Sequence, residues 1–555
     1  MCGIIVVLTA TPPTEGLKNE VMKLRRKIRH RGPDYSGMVV TQNVIMAHER
    51  LSIIDPFSGE QPFKNTQGDI LAVNGEIYNY KELQAKYQYP YQTRSDCEVL
   101  MAFDTTDHSL IDELSGMYGF CKWDSSRQIV TIARDPIGII PLYYGYRGNE
   151  LWVASELKVL DQAKVKYQIF PPGHVAVASV ADGIIGFSIQ STPLYNRLFT
   201  MPHNYPQPDH TITDTTTIIR RGLKAAVKKM LMSDVPIGSF LSGGLDSSLV
   251  TSIACHYLKK SGKTEKLKTF AVGLADSPDL IQARKVAEFL GTEHHELIYT
   301  IEEGIAAIRD VVWYIETYDV TTIRSSIPMY LLSKRIRSMG IKMVLSGEGS
   351  DELFGGYLYF HKAPSPKDFH EETVRKVQQL YMYDCLRANK APAAASLECR
   401  PPFLDTQFVE QVLGINTIYK MVTADSPMEK GILRRAFDDH GRWLPDEILW
   451  RTKMQFSDGT GFDWIDSLKA HANGIVSDED FENRYSIFPL FTPKTKEAFL
   501  YRSIFEEYYP LGVETVPYGD SVACSSQVAM EWDESFKNVI DPSGRSMSFH
   551  VNSFQ

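Results

Sequence analysis

Ser242-Gly243-Gly244-Leu245-Asp246-Ser247-Ser248 sits between an apolar run, Val235 to Leu241, and a helical pattern, Leu249 to Leu258. Strand, glycine-rich turn and helix in this order place backbone N–H groups at a helix N-terminus, where an anion is received. Gly243 and Gly244 let the main chain approach a ligand closely. Ser242, Ser247 and Ser248 add hydroxyl donors, and Asp246 adds a carboxylate suited to Mg²⁺ beside phosphates. The loop lacks the lysine and spacing of a Walker A sequence. The plainer reading is a Ser/Gly turn that caps a helix.

Outward from this loop the texture is β/α. Thr215–Met232 reads as an amphipathic helix, Lys268–Leu274 as a strand and Leu280–Leu290 as a helix. His295–Tyr299 is a further strand, Glu303–Thr317 and Pro328–Met339 are helices, and Ile341–Leu345 is a buried strand. Such alternation predicts a parallel sheet, whose ligands lie at the carboxyl ends of its strands. A second loop, Ser346-Gly347-Glu348-Gly349-Ser350-Asp351-Glu352, follows Leu345, so two loops can face one ligand. Ser242–Ser248 resembles the pyrophosphate loop of the ATP pyrophosphatases, which form acyl-adenylates.

The N-terminal third differs. Short β-runs with turns between them (Ile4–Leu8, Val44–Ile54, Ile70–Asn74, Ile129–Ala133, Leu142–Tyr146, Leu151–Ala154, His174–Val180) predict a sheet-rich α+β layer domain. Cys2 follows the initiator Met. Removal of Met1 would leave a thiol (reference pKa about 8.5) beside a free α-amine (about 7.7–8.0), nucleophile and base in one residue. Arg31-Gly32-Pro33-Asp34, His48 to Asp55, Asn74-Gly75-Glu76-Ile77-Tyr78-Asn79 and Ser95-Asp96-Cys97-Glu98 accompany it. In this order they resemble the class II glutamine amidotransferases, which are N-terminal-nucleophile hydrolases. The resemblance implies Cys2 as nucleophile on the glutamine amide, with the Asn74 side chain and the Gly75 N–H as oxyanion hole. It implies Arg50 on the glutamine carboxylate, Glu76 and Asp96 on its ammonium, and Leu51, Ser52, Ile53 and Ile54 lining the site. Taken singly, Arg50 reads equally as a surface ion pair, and Asn74-Gly75 as a hairpin turn. Cys97 and Cys121 read as small buried hydrophobes.

The two loops, together with Phe270-Ala271-Val272-Gly273, Glu316 to Arg324, Phe354-Gly355-Gly356-Tyr357 and Lys453 to Gly459, resemble the glutamine-hydrolysing asparagine synthetase family, B type, over roughly residues 1 to 530. By position this implies adenosine contacts from Leu241, Val272, Ser346 and Gly347, and pyrophosphate contacts from Ser242, Gly243, Gly244, Asp246 and Ser247. Asp246 and Asp351 are the implied Mg²⁺ ligands. Glu348 is the implied carboxylate for making or consuming β-aspartyl-AMP, and Lys453 the implied charge stabiliser on the phosphates. Thr321, Thr322 and Arg324 are candidates for aspartate recognition, with Arg324 reading equally as a structural ion pair. The cofactors implied are ATP and Mg²⁺ as MgATP, with an internal ammonia tunnel and a homodimer. Pro401 departs from the family, which usually has an apolar residue there. Two prolines in succession, Pro401 and Pro402, fix the loop and remove two donors.

A chain of 555 residues is too long for one core. The expected organisation is a glutaminase domain over 1–190, a Pro/Asn-rich linker over 191–213, an ATP-dependent synthetase domain over 214–518 and an aperiodic tail over 519–555. A formal net charge of −9 argues against nucleic-acid or anionic-membrane partners. No apolar run approaches the ~20 residues of a membrane span. Seven scattered cysteines without a CxxC pair read as reduced thiols of a cytosolic protein, with no structural zinc. Three rivals stand: a β-lactam-forming relative, which generally lacks the N-terminal nucleophile; an amidotransferase acting on another carboxylate; and a catalytically dead nucleotide- or glutamine-binding regulator.

Overall fold

A computed structural model describes residues 1–104, 108–199, 211–262, 264–423, 426–452, 459, 461, 463–517, 527–532 and 534. The first half contains β1 (Gly3–Thr9), β2 (Tyr35–Val40), β3 (Val44–Arg50), β4 (Phe63–Lys64), β5 (Ile70–Ile77) and β6 (Gly116–Asp124). It continues with β7 (Ile129–Arg134), β8 (Tyr143–Arg147), β9 (Glu150–Ala154), β10 (Lys166–Ile169), β11 (His174–Ala181) and β12 (Ile184–Ser191). They form two antiparallel sheets, ordered β10-β8-β9-β1-β3-β2 and β12-β11-β7-β6-β5-β4.

The sheets stack face to face. Ile4, Val6 and Leu8 of β1 share a core with Ile70, Ala72, Cys121 and Trp123 of the opposite sheet. Ile5 and Val7 point the other way, onto Leu17, Val21 and Leu24 of the helix Glu15–Arg25. Both faces of β1 are therefore covered, which is why it reads as an unbroken apolar run rather than an alternation. On the far side, Leu71 and Val73 of β5 meet Cys97, Val99 and Leu100 of the 3₁₀ segment Asp96–Ala102. The order is helix, sheet, sheet, helix.

The second half carries β13 (Ile237–Phe240), β14 (Lys268–Gly273), β15 (Glu293–Ile298), β16 (Met343–Leu345) and β17 (Glu398–Arg400), all parallel and ordered β15-β14-β13-β16-β17. The chain winds outward from β13 in both directions. The crevice at its carboxyl end and that of β16 is the switch point where α/β sheets bind ligands. Ser242–Ser248 and Ser346–Glu352 leave from these two strand ends.

Several elements differ from expectation. Asn74-Gly75 is no turn: it lies inside β5, with Asn74 opposite Gly119 and Gly75 opposite Tyr118. Glu303–Thr317 divides into the helices Ile301–Ala306 and Ile308–Ile315. The helix expected to begin at Pro328 begins at Val320, because Asp319 caps it by accepting from the Thr322 N–H at 2.8 Å. Pro328 is tolerated inside because the Arg324 carbonyl, robbed of its helical donor, accepts from Trp464 Nε1 at 3.1 Å. The expected linker contains the helix Pro193–Phe199. Residues 200–210, the Lys453–Asp458 stretch, Cys524 and most of the tail lie outside the described residues.

The two halves share a buried ionic seam. The Glu316 carboxylate accepts from the Leu157 and Lys158 main-chain N–H groups at 2.7 and 2.8 Å and pairs with Lys158 and Lys390. Arg31 pairs with Glu156 at 2.9 Å and donates to Asn389 at 2.9 Å.

Candidate active sites

The first site lies at the start of β1. Cys2 is 7% exposed; its thiol donates to the Leu51 carbonyl at 3.8 Å, and Arg31 Nε donates to its carbonyl at 2.7 Å. Burial pushes the thiol above its ordinary range, with the nearby N-terminal ammonium and Arg50 pulling the other way. Met1 is buried, and its ammonium pairs with Glu398 at 3.2 Å.

β5 presents Asn74, Gly75 and Glu76 in succession. Asn74 Nδ2 donates to Ser155 Oγ at 3.3 Å, a hydroxyl that also accepts from the Ile4 N–H of β1. That hydroxyl ties β5 to the strand of the nucleophile. Gly75 has φ +146°, and a Cβ there would meet the Met117 carbonyl oxygen at 2.0 Å. Only glycine fits. Cys97 is the small buried side chain expected, packed under β5, and its thiol donates to the Gly75 carbonyl at 3.4 Å.

Arg50 does not form a surface ion pair. Its N–H groups hold the carbonyls of Ile54, Asp55 and Ser58 at 3.0, 2.8 and 2.6 Å, folding the loop after β3 around the guanidinium. Ser52 N–H donates to Asp34 at 2.8 Å, and Ile53 and Leu51 are buried. Asp96 accepts from the Ile77 N–H at 2.7 Å, and burial pushes its carboxyl up to about 6. Glu76 is also raised, by burial and by Glu398 and Asp96. Its nearest cation is Arg400 of β17, 3.0 Å away. Neither Glu398 nor Arg400 was expected here, since nothing local in β17 announces a partner so far back in the chain.

The second site is the cleft over β13 and β16. Leu241, Ser242, Gly244, Asp246 and Ser247 line it from one loop, Ser346, Gly347, Glu348 and Asp351 from the other, and Val272 from β14. Gly244 caps the helix Leu245–Lys260, whose N-terminus opens on the cleft. Gly243 turns away: with φ +74° its Cα faces Ala283, where a Cβ would come within 2.4 Å of the main chain. Asp246 accepts from Ser350 Oγ at 2.7 Å.

Lys430, missed in the sequence, lies 2.5 Å from Asp246 and 2.6 Å from Asp351. The two carboxylates therefore converge on one cation position. Arg387 pairs with Glu348 and Asp384, each at 2.8 Å. Glu352 and Tyr357 also line the cleft, and burial with Asp384 and Asp351 nearby pushes Glu352 up to about 8.

The three aspartate candidates separate. Thr321 lines the cleft, and Thr322 serves the cap of its helix. Arg324 is 2% exposed and forms a two-point ion pair with Glu497 at 2.8 and 2.5 Å. The structural alternative for Arg324 is the one its geometry has, and Arg387 is an arginine that does line the cleft.

Stacked antiparallel sheets with a cysteine at the head of β1, joined to a parallel sheet with two anion-receiving loops, define an amidotransferase coupled to a synthetase-type domain. The glutamine amidotransferase domain family matches residues 1–179, and the asparagine synthase family matches residues 219–369 and 363–532. The chain is 48% identical over 570 residues to asparagine synthetase B [glutamine-hydrolyzing] of Escherichia coli, covering 100% of each. It is 46% identical over 567 residues to asparagine synthetase [glutamine-hydrolyzing] 3 of Arabidopsis thaliana, covering 100% of this chain and 96% of that one. The chain belongs to the asparagine synthase family.

Proposed function

We propose that the chain is a ligase that makes asparagine from aspartate with glutamine as nitrogen donor and ATP as energy source. The observation that carries this reading is the pairing, in one chain, of a buried cysteine beside Asn74-Gly75 with two glycine loops meeting over a parallel sheet. In the first site, once Met1 is removed, the Cys2 α-amine takes the thiol proton and the sulfur attacks the glutamine amide carbon. The oxyanion meets Asn74 Nδ2 and the Gly75 N–H, where each preorganised donor is worth on the order of 3 kcal/mol. The α-amine returns that proton to the departing nitrogen, ammonia leaves a thioester behind, and water cleaves the thioester to glutamate and the free thiol. Arg50, Leu51, Ser52, Ile53 and Ile54 shape the pocket for the α-carboxylate end, and Glu76 and Asp96 face the α-ammonium.

In the second site the aspartate side-chain carboxylate attacks the α-phosphorus of ATP, pyrophosphate leaves and β-aspartyl-AMP remains. Ammonia attacks that carbonyl, AMP leaves and one proton must be removed, for which Glu348 is positioned as acceptor. Ser242, Gly244 and Ser247 receive the phosphates at the helix N-terminus, while Leu241, Val272, Ser346 and Gly347 border the adenosine. Asp246 and Asp351 offer the hard oxygen donors that Mg²⁺ bound with the phosphates would use, beside the Lys430 ammonium that both carboxylates contact. The ion would neutralise phosphate charge there. We assign Lys453 the same electrostatic task, and Thr321 together with Arg387 the recognition of aspartate.

We further infer a protected route for ammonia between the sites, since in bulk water near neutral pH most of it would be protonated and unreactive. A homodimer in the cytoplasm completes the proposal; sedimentation giving only monomer at micromolar concentration would reject the dimer. The test of the reaction is incubation with MgATP, aspartate and amide-¹⁵N-glutamine, followed by mass spectrometry. Labelled asparagine with AMP and pyrophosphate is the expected result. Labelled ammonia and glutamate without asparagine would refute the acceptor.

A further inference from the structure

Arg400 reaches both sites. Its carbonyl accepts the Ser346 N–H at 3.0 Å, at the first residue of the second cleft loop. Its side chain is anchored in the second half, with Nε donating to Glu398 at 2.7 Å and one terminal nitrogen donating to the Met230 and Met232 carbonyls, while the other terminal nitrogen reaches the first half, 3.0 Å from Glu76 Oε2. The guanidinium also lies 5.6 Å from the centre of the Tyr78 ring. It is fully buried.

The contact with Glu76 is close but badly aligned. Glu76 Oε2 and the facing Arg400 nitrogen are buried, and neither makes a hydrogen bond among the described residues. Charge is balanced there while hydrogen-bonding capacity is left over. A buried acceptor of this kind is costly unless something fills it. An ammonium group has the matching chemistry, three donors and a positive charge.

The charges around Glu76 explain why a fixed cation is needed. The charges of Asp96 in the 3₁₀ segment, of Glu398 in β17 and of the Met1 ammonium ahead of β1 all act on it, and its own charge is felt by the Tyr78 hydroxyl and the Cys97 thiol. Three carboxylates crowd one dry space. Like charges so placed force protons onto one another, and a protonated Glu76 would offer an ammonium ligand far less.

We propose that Arg400, supplied by the synthetase half, is a positioning residue of the glutamine site: it supplies the countercharge of Glu76 and aims that carboxylate at the substrate ammonium. This rests on the glutaminase reading above. Arg400 touches no reacting atom, and it acts through Glu76. Its own place is fixed by Ser346, because the main chain of β17 is bound there and in the β16 register, Leu345 opposite Arg400. The glutamine site is thereby completed by a strand whose other edge holds the second cleft loop.

Two variants test this, Arg400→Lys and Arg400→Gln, each read by glutaminase KM and kcat from pH 5 to 9 with cooperative melting as the fold check. Arg400→Gln should raise the glutamine KM about tenfold at pH 7 and move the acidic limb of kcat/KM up by about one pH unit, with kcat changed much less. Arg400→Lys should fall between it and the parent. In a Glu76→Gln background the effect of Arg400→Gln on KM should largely vanish. A folded Arg400→Gln protein with parental KM and acidic limb overturns the proposal, as does an Arg400→Lys protein impaired as much as Arg400→Gln. Should Arg400→Gln not fold, Arg400→Lys alone decides: a larger KM ratio between pH 6 and pH 8 than the parent supports the role, an equal ratio overturns it. If the parent itself releases no glutamate from glutamine, the glutaminase reading has failed. If it does and the variants match it, only the role of Arg400 has.

Discussion

Gly347 lies directly against Ser247: a methyl group on its Cα would come within 2.7 Å of the Ser247 main-chain nitrogen and 3.0 Å of Asp246 Cβ. The two loops of the second cleft touch through a missing side chain. Gly347→Ala must therefore push Asp246 and Ser247 off their positions, at a cost of about 1–3 kcal/mol. We expect ATP–pyrophosphate exchange to fall by about tenfold or more for that energy, while glutamine hydrolysis continues. Unchanged exchange would mean that the loops move apart freely.

Cys2→Ala should lower glutamine hydrolysis by a factor on the order of 10⁴ and leave asparagine synthesis from added ammonium. Assaying both nitrogen sources on one preparation checks it. Loss of both activities would contradict separate sites.

Glu348→Ala should slow synthesis from either nitrogen source by about 10²–10⁴, with the glutaminase intact. The variant also strips Arg387 of a partner at 2.8 Å, so Glu348→Gln is the better companion: it keeps a hydrogen bond to the guanidinium and removes the proton acceptor. Full activity in the Gln variant would show that Glu348 serves only to hold Arg387.

The glutamine site should weaken in acid. Asp96 has its carboxyl pushed up to about 6, and Glu76 is raised as well, both chiefly by burial. A carboxyl with a raised value keeps its proton to higher pH, and only the ionised form pairs with an ammonium. The glutamine KM should thus climb as pH falls through about 6, the range of Asp96, and the raised Glu76 should extend that rise to higher pH. Steady-state kinetics on the glutaminase reaction alone reads this directly; a KM constant down to pH 5 would refute it.

Glu352 is the opposite case. Held near 8 by burial and by Asp384 and Asp351, it is mostly protonated at pH 7, so Glu352→Gln replaces one neutral group by another of the same shape. Synthesis at pH 7 should stay within about threefold of the parent, and the two should diverge above pH 8. A large loss at pH 7 would mean that the ionised form is the one in use.

Much of this architecture was legible because its signals are local. Ser242–Ser248 and Ser346–Glu352 each follow an apolar run and carry their own glycines, so their place at strand ends could be read directly. Asn74-Gly75 was ambiguous, since a hairpin turn and a strand interior both use that pair; only the partners Gly119 and Tyr118 decide. The start of the helix at Val320 hides behind Pro328, whose lost donor is replaced by Trp464 from far along the chain. Lys430, Arg387, Glu398 and Arg400 were invisible for the same reason: the partners that tie them to the sites, Asp246, Glu348, the Met1 ammonium and Glu76, are distant in sequence, and a lone basic or acidic residue carries no period or spacing to mark it. Arg324 was caught by position, yet Glu497 takes its guanidinium.

The seam around Glu316 has a thermodynamic consequence. Its carboxylate caps main-chain N–H groups of the first half and pairs with Lys158 there while pairing with Lys390 of the second, so separating the halves breaks several buried hydrogen bonds and ionic contacts at once. Heating should give one calorimetric transition for the whole chain instead of two, and a chain cut within residues 200–210 should still melt as a single unit.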